Sequence, residues 1–251
     1  MEQRKKLNFI SKGVKRFVAV LISRSSRVYA VGEAGVDSYE EYGVPIKLLK
    51  SLPYTKDFSV YQSKKKEYGK KVIVATARLV PSKKIDQLIR VFSDISGDFP
   101  SWSLQIIGDG KMRKQLEWSV PESLRGRISF HGFAGPEMQS EIYAGADIFV
   151  LPSIRDGWGM VIVEAMAAGL PVITTHGVVA GRDLVRDGEN GFLVPVGQDE
   201  PLSASLRKAM AGGLDLKKMG ENARGSASRY DVEKVADDLV ADILTGWCCR
   251  E

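Results

Sequence analysis

The sequence predicts an α/β fold in which a parallel sheet carries helices on both faces. Two observations lead there. From residue 72 onward, short apolar runs recur at 72–76, 104–107, 127–130, 147–151, 171–174 and 191–194. Helical stripes separate most of them, as with Ile85, Leu88, Ile89, Phe92 and Ile95. Strands alternating with helices read as successive parallel units, and ligands of such sheets sit beyond the carboxyl ends of the strands.

The elements before residue 72 are less regular. Leu7, Ile10, Val14, Phe17, Val18 and Leu21 recur at three- and four-residue steps among Lys and Arg, the pattern of a basic amphipathic helix over residues 1–27. Residues 28–31 read as a strand, 34–42 as a helix ending at Gly43, and 46–49 as a second strand. Residues 63–71 are polar and charged, and read as a linker. Three segments follow: 1–27, 28–62 and 63–251. At the far end Val232, Val235, Leu239, Val240 and Ile243 form a last helical stripe.

Charge narrows the function classes. Residues 1–27 hold eight Lys or Arg against one acid, Glu2, while the other 224 residues carry 28 bases and 30 acids. A near-neutral body argues against nucleic acid as a partner. The basic start suits either peripheral contact with anionic lipid or packing on the chain's own domain. No apolar stretch approaches the roughly 18 residues of a membrane span. The run Phe17 to Ile22 is short for a secretory signal. With Cys248 and Cys249 adjacent and only His131 and His176 present, neither a disulfide framework nor a metal site is indicated. The expected location is cytoplasmic, either free or peripheral at the membrane face.

The most informative segment runs from Pro152 to Pro171. The strand at 147–151 enters a loop containing Asp156, Gly157, Trp158 and Gly159, and a helix begins near Met160 and ends at Gly169. Glycines admit close backbone approach, and the N–H groups at a helix start attract anions. Asp156 and Glu164, eight residues apart, flank that turn, and carboxylates accept hydrogen bonds from paired sugar hydroxyls. The same residues also describe a glycine turn with a solvated Asp and a capping Glu. Arg78 and Lys83, five apart after the 72–76 run, are placed to reach one diphosphate or to be two surface bases. Ile107-Gly108-Asp109-Gly110 carries two glycines of a dinucleotide fingerprint, but Arg113 stands where the third belongs, against a nicotinamide-dependent dehydrogenase. His131 reads as an acid/base or, more simply, as a strand-end residue.

These segments together resemble the retaining glycosyltransferases of family 4. Asp156-Gly-Trp-Gly159 with Glu164-Ala-Met-Ala-Ala-Gly169 is similar to that family's Glu-x7-Glu signature, with Asp in place of the first Glu. Ala77-Arg78-Leu79 and Lys83 resemble its Gly-Arg-Leu and Lys, and Asn190-Gly191 its downstream loop. The likeness covers roughly residues 28–245. It implies a Rossmann-like sheet, the C-terminal half of the two-domain GT-B architecture. It implies a UDP- or GDP-sugar donor, transfer with retention, and a glycan or lipid-linked acceptor. Catalytic roles fall on Arg78, Lys83, Asp156 and Glu164. Donor contacts fall on Gly108, Gly110, Phe133, Gly157, Trp158, Gly159 and Met160. No Asp-x-Asp occurs, so no metal cofactor is expected. Residues 28–62 resemble the end of an N-terminal acceptor domain, which raises the alternative of a donor-binding module inactive without a second half.

Overall fold

The structure is a computed structural model that describes residues 17, 19–25, 27–64 and 66–248. It comprises two compact units, residues 57–231 and residues 1–56 with 232–251.

The larger unit holds six parallel strands: β3 (Val72–Thr76), β4 (Ser103–Ile107), β5 (Ile128–Gly132), β6 (Ile148–Leu151), β7 (Val172–Thr175) and β8 (Gly191–Val194). Their order is β5-β4-β3-β6-β7-β8. The register pairs Ile73 with Leu104 on one side and with Ile148 on the other. Every residue of β6 and β7 is buried, as a sheet covered on both faces requires. The Ile85–Ile95 helix buries seven of its eleven residues, Phe92 among them. Truncating such a ring to Ala costs about 3–5 kcal/mol. Because the chain winds outward from β3 in one direction and from β6 in the other, the strand order reverses between these two neighbours. A crevice opens there at the carboxyl ends, the place where doubly wound sheets bind ligands.

Local chemistry ends the elements. The Met160–Ala167 helix stops at Gly169, whose φ of +82° lets its N–H reach the Met166 carbonyl while Leu170 bonds Ala165. Buried Asn190 closes the turn before β8. Its Oδ1 accepts from the Arg186 N–H at 2.7 Å, and its Nδ2 donates to the Leu184 carbonyl at 2.9 Å. A Cβ on Gly191 would stand 2.0 Å from the Val172 carbonyl oxygen. The Asn190-Gly191 pair is therefore accounted for by folding.

Residues 63–71 differ from the linker their composition suggests. They are anchored on the larger unit: Asp147 accepts from the N–H groups of Gly69 and Val72, and the Tyr68 hydroxyl donates to the Gly169 carbonyl at 3.1 Å. The larger unit begins at Asp57, not at 63, because Phe58 and Tyr61 are buried in its core.

The smaller unit holds a two-stranded parallel sheet, β1 (Val28–Val31) and β2 (Leu49–Leu52), joined through the Gly32–Glu41 helix. The second strand lies three residues beyond the run at 46–49. Pro45 leads Ile46–Leu48 into a 3-10 turn instead. The Val232–Cys248 helix belongs to this unit, not to the larger one. Its Asp242 accepts from the Tyr29 hydroxyl at 2.8 Å. Of its apolar stripe, Val235 is buried while Val240 and Ile243 are exposed. Of the expected 1–27 helix, residues 1–16, 18 and 26 lie outside the described residues. Residues 19–22 are helical, with Ala19 buried. Among the described residues no helix is long and apolar enough to cross a membrane.

Candidate functional site

The crevice at the strand-order reversal contains a cavity of about 540 Å³. Its walls come from the carboxyl ends of three strands and from two helix starts. Thr76, Ala77 and Arg78 follow β3; Ile107, Gly108 and Asp109 follow β4; Phe133 and Ala134 follow β5. The Pro136–Ala144 helix adds Gln139, and the Met160–Ala167 helix adds Val161 and Glu164.

Charge of both signs lines the cavity. Arg78 is exposed, and among the described residues its guanidinium has no acidic partner. Glu164 is only 6% exposed, in a cavity otherwise largely apolar. A carboxylate so placed needs donors. One is the Gln139 side-chain amide, whose Nε2 donates to Glu164 Oε2 at 2.9 Å. The same nitrogen donates to the Tyr143 hydroxyl at 2.9 Å, and that hydroxyl donates to Thr76 Oγ1 at 2.8 Å. Burial raises the Tyr143 phenol well above its ordinary range, so it stays protonated.

Lys83 and Asp156 meet at the 3-10 turn after Val80. Lys83 Nζ donates to Asp156 Oδ2, and the other carboxylate oxygen accepts from the Gly157 N–H at 2.9 Å. The backbones are joined as well, the Ile154 N–H donating to the Ser82 carbonyl at 2.9 Å. The structure thus brings Arg78 and Glu164 to one cavity. It engages Lys83 with Asp156, and neither of these two is among the residues that line the cavity.

The glycines divide by role. Gly108, at φ +131°, lines the cavity, and a Cβ there would lie 1.9 Å from the Ala77 carbonyl oxygen. Gly110 likewise lies against Leu79, with 2.4 Å between a would-be Cβ and its carbonyl oxygen. Both let the loops after β3 and β4 press together, sealed by Leu79 N–H donating to the Asp109 carbonyl. Gly157, Trp158, Gly159 and Met160 do not line the cavity. Gly159, at φ +92°, starts the helix, and the Trp158 ring stands 5.6 Å from that of Tyr230. Phe133 is 83% exposed at the cavity rim. His131, with Ser129 Oγ 3.4 Å from Nε2, is not among the lining residues. Gln139, Tyr143 and Thr76 escape sequence reasoning. The one available signal is that Gln139 and Tyr143 share a helix face four residues apart.

Residues 58–226 match the family described as glycosyl transferases group 1. The chain belongs to this family. Relatives include an exopolysaccharide phosphotransferase of Streptomyces coelicolor, 32% identical over 180 residues, or 70% of this chain and 19% of that protein. The lipopolysaccharide glucosyltransferase WaaG of Escherichia coli is 34% identical over 145 residues, or 57% of this chain and 37% of that protein. The chain therefore spans well under half the length of either. In fold it is similar to HepE of Anabaena, crystallised in complex with UDP. The TM-score is 0.76 at 23% identity, over 94% of this chain and 68% of HepE. The six-stranded parallel sheet and its helices are the Rossmann-like arrangement of this group 1 fold.

Proposed function

We propose that the chain is the donor-binding half of a retaining glycosyltransferase that takes a nucleoside-diphosphate sugar and works in polysaccharide or glycolipid synthesis. One observation carries the reading: Arg78 and Glu164 line a single cavity at the strand-order reversal, an exposed cation together with a buried carboxylate. In this reading Glu164 accepts hydrogen bonds from the ribose hydroxyls and Arg78 holds the diphosphate. Phe133 at the rim stacks on the base. UDP is the leading nucleotide, since the HepE structures hold UDP and UDP-glucose.

When the bond from the anomeric carbon to the diphosphate oxygen breaks, negative charge gathers on the leaving group. Arg78, together with Lys83 and the N–H groups at the start of the Met160–Ala167 helix, supplies positive potential there without a metal. Asp156 takes the donor sugar. The acceptor is a growing glycan or a lipid-linked sugar, brought in by the part of the enzyme that these residues do not form.

Melting of the protein with UDP, GDP and their sugars tests the reading. A ligand at a hundred times its Kd raises stability by about 2.7 kcal/mol. Glu164→Ala is expected to remove most of the shift and Arg78→Ala to weaken every diphosphate. A protein that melts at the same temperature with all of them is not a nucleotide-sugar binder.

A further inference from the structure

We propose that Gln139 is a positioning residue for Glu164, aiming its carboxylate at the ribose of the donor. The inference rests on the reading of Glu164 as the ribose ligand. Gln139, Tyr143, Thr76 and Glu164 are all buried. Their hydrogen bonds run in a fixed sense: one Gln139 N–H goes to Glu164 Oε2 and the other to Tyr143, whose own proton goes to Thr76. The amide cannot be turned over. Turning it would set its carbonyl oxygen against a carboxylate oxygen, acceptor against acceptor.

The consequence is geometric. Thr76 ends β3, Gln139 and Tyr143 lie on the Pro136–Ala144 helix, and Glu164 lies on the Met160–Ala167 helix. One hydrogen-bonded chain therefore ties together three of the segments that wall the cavity. It holds Glu164 in one side-chain conformation before any ligand arrives, which removes the ordering cost from binding. Gln139 itself need not touch the ribose.

The test reads the ribose contact rather than total affinity. UDP and 2′-deoxy-UDP are titrated calorimetrically into the wild type, Glu164→Ala and Gln139→Met, with GDP and its deoxy form if GDP is the nucleotide that binds. A hydrogen bond to a charged group makes the wild type prefer the ribonucleotide by about 10- to 100-fold. Gln139→Met keeps the volume and removes the donor. It is expected to collapse the preference to within about 3-fold, as Glu164→Ala does, while affinity for inorganic pyrophosphate is unchanged. A merely structural loss would weaken both nucleotides equally and leave the ratio intact. Should Gln139→Met not fold, Tyr143→Phe, which keeps the amide but cuts it from Thr76, is expected to lower the same ratio. A ratio that survives in the folded Gln139 or Tyr143 variant while falling in Glu164→Ala overturns the positioning role alone. A wild type without any preference overturns the reading of Glu164, and the inference with it.

Discussion

Lys83 donates to Asp156 between two loops that follow neighbouring strands on either side of the strand-order reversal. Both side chains are mostly buried, at 15% and 21% exposure, so the pair is shielded from solvent and its charges cancel. In the proposed reading both would serve the donor, which makes ligand binding a competition with this contact. Asp156→Asn is expected to release Lys83 and to bind UDP as well as or better than the wild type does. Lys83→Ala is expected to weaken UDP by about ten-fold or more and UMP far less, because only UDP offers the second phosphate. Calorimetry on the two variants decides. Equal losses for UMP and UDP in Lys83→Ala would remove Lys83 from the diphosphate site.

Three glycines that look alike in sequence should behave differently. Gly108→Ala would drive a methyl group to 1.9 Å from the Ala77 carbonyl, which is backbone and has nowhere to go. Gly159→Ala meets Val178 Cγ1 at 2.5 Å at a φ of +92°. Gly157 has nothing within 4 Å of a would-be Cβ. Urea unfolding is expected to show losses of about 3 kcal/mol or more for Gly108→Ala, about 1–3 for Gly159→Ala, and within about 0.5 for Gly157→Ala. A Gly108→Ala protein of wild-type stability would mean the loops after β3 and β4 are not pressed together.

The contrast among these residues shows where sequence reasoning reaches and where it stops. The runs at 72–76 and 191–194 coincide with β3 and β8, because a strand covered on both faces is simply apolar. The run at 46–49 misleads, since Pro45 starts a turn whose Ile46 and Leu48 imitate strand residues. Gly108 and Gly110 are legible as obligatory glycines, but the backbone they admit is the chain's own. Arg78 and Glu164 are singled out by the family resemblance, and both line the same cavity. Gln139 is not singled out, because its partner lies 25 residues away and only the crossing from β5 to β6 makes them neighbours. The same holds for Lys83 with Asp156, 73 residues apart.

Phe133 allows binding to be separated from folding. At 83% exposure its ring contributes little to the core, so Phe133→Ala is expected to melt within a degree or two of the wild type, surface changes costing about 0.5 kcal/mol or less. If the ring stacks on the base, the same change weakens UDP by about 1–3 kcal/mol, the usual worth of an aromatic under a base. Fluorescence titration and a melting curve on one preparation measure both. Unchanged affinity would place the base elsewhere.

Lys66 gives the larger unit a dependence on pH. Its ammonium donates to the carbonyls of Glu67, Ala144 and Ala146, and burial pushes it down from 10.5 to about 8, with Asp147 only partly opposing. Below pH 8 the folded and unfolded chains both hold the proton, and the penalty for burying the charge is constant. Between about 8 and 10.5 the unfolded chain keeps a proton that the folded one has released, so stability rises with pH. The gain is at most a few kcal/mol, since each tenfold change in proton affinity between the two states is worth about 1.4 kcal/mol. Tyr68 and Tyr143, both raised above 10, act in the opposite sense and only at higher pH, where the unfolded chain ionises first. Urea midpoints compared at about pH 7 and about pH 9.5 are therefore expected to increase for the wild type. Lys66→Met, which keeps the apolar stem and loses the charge, is expected to start more stable at the lower pH and to show no such rise. Parallel curves for the two proteins would mean that Lys66 does not release its proton in this range.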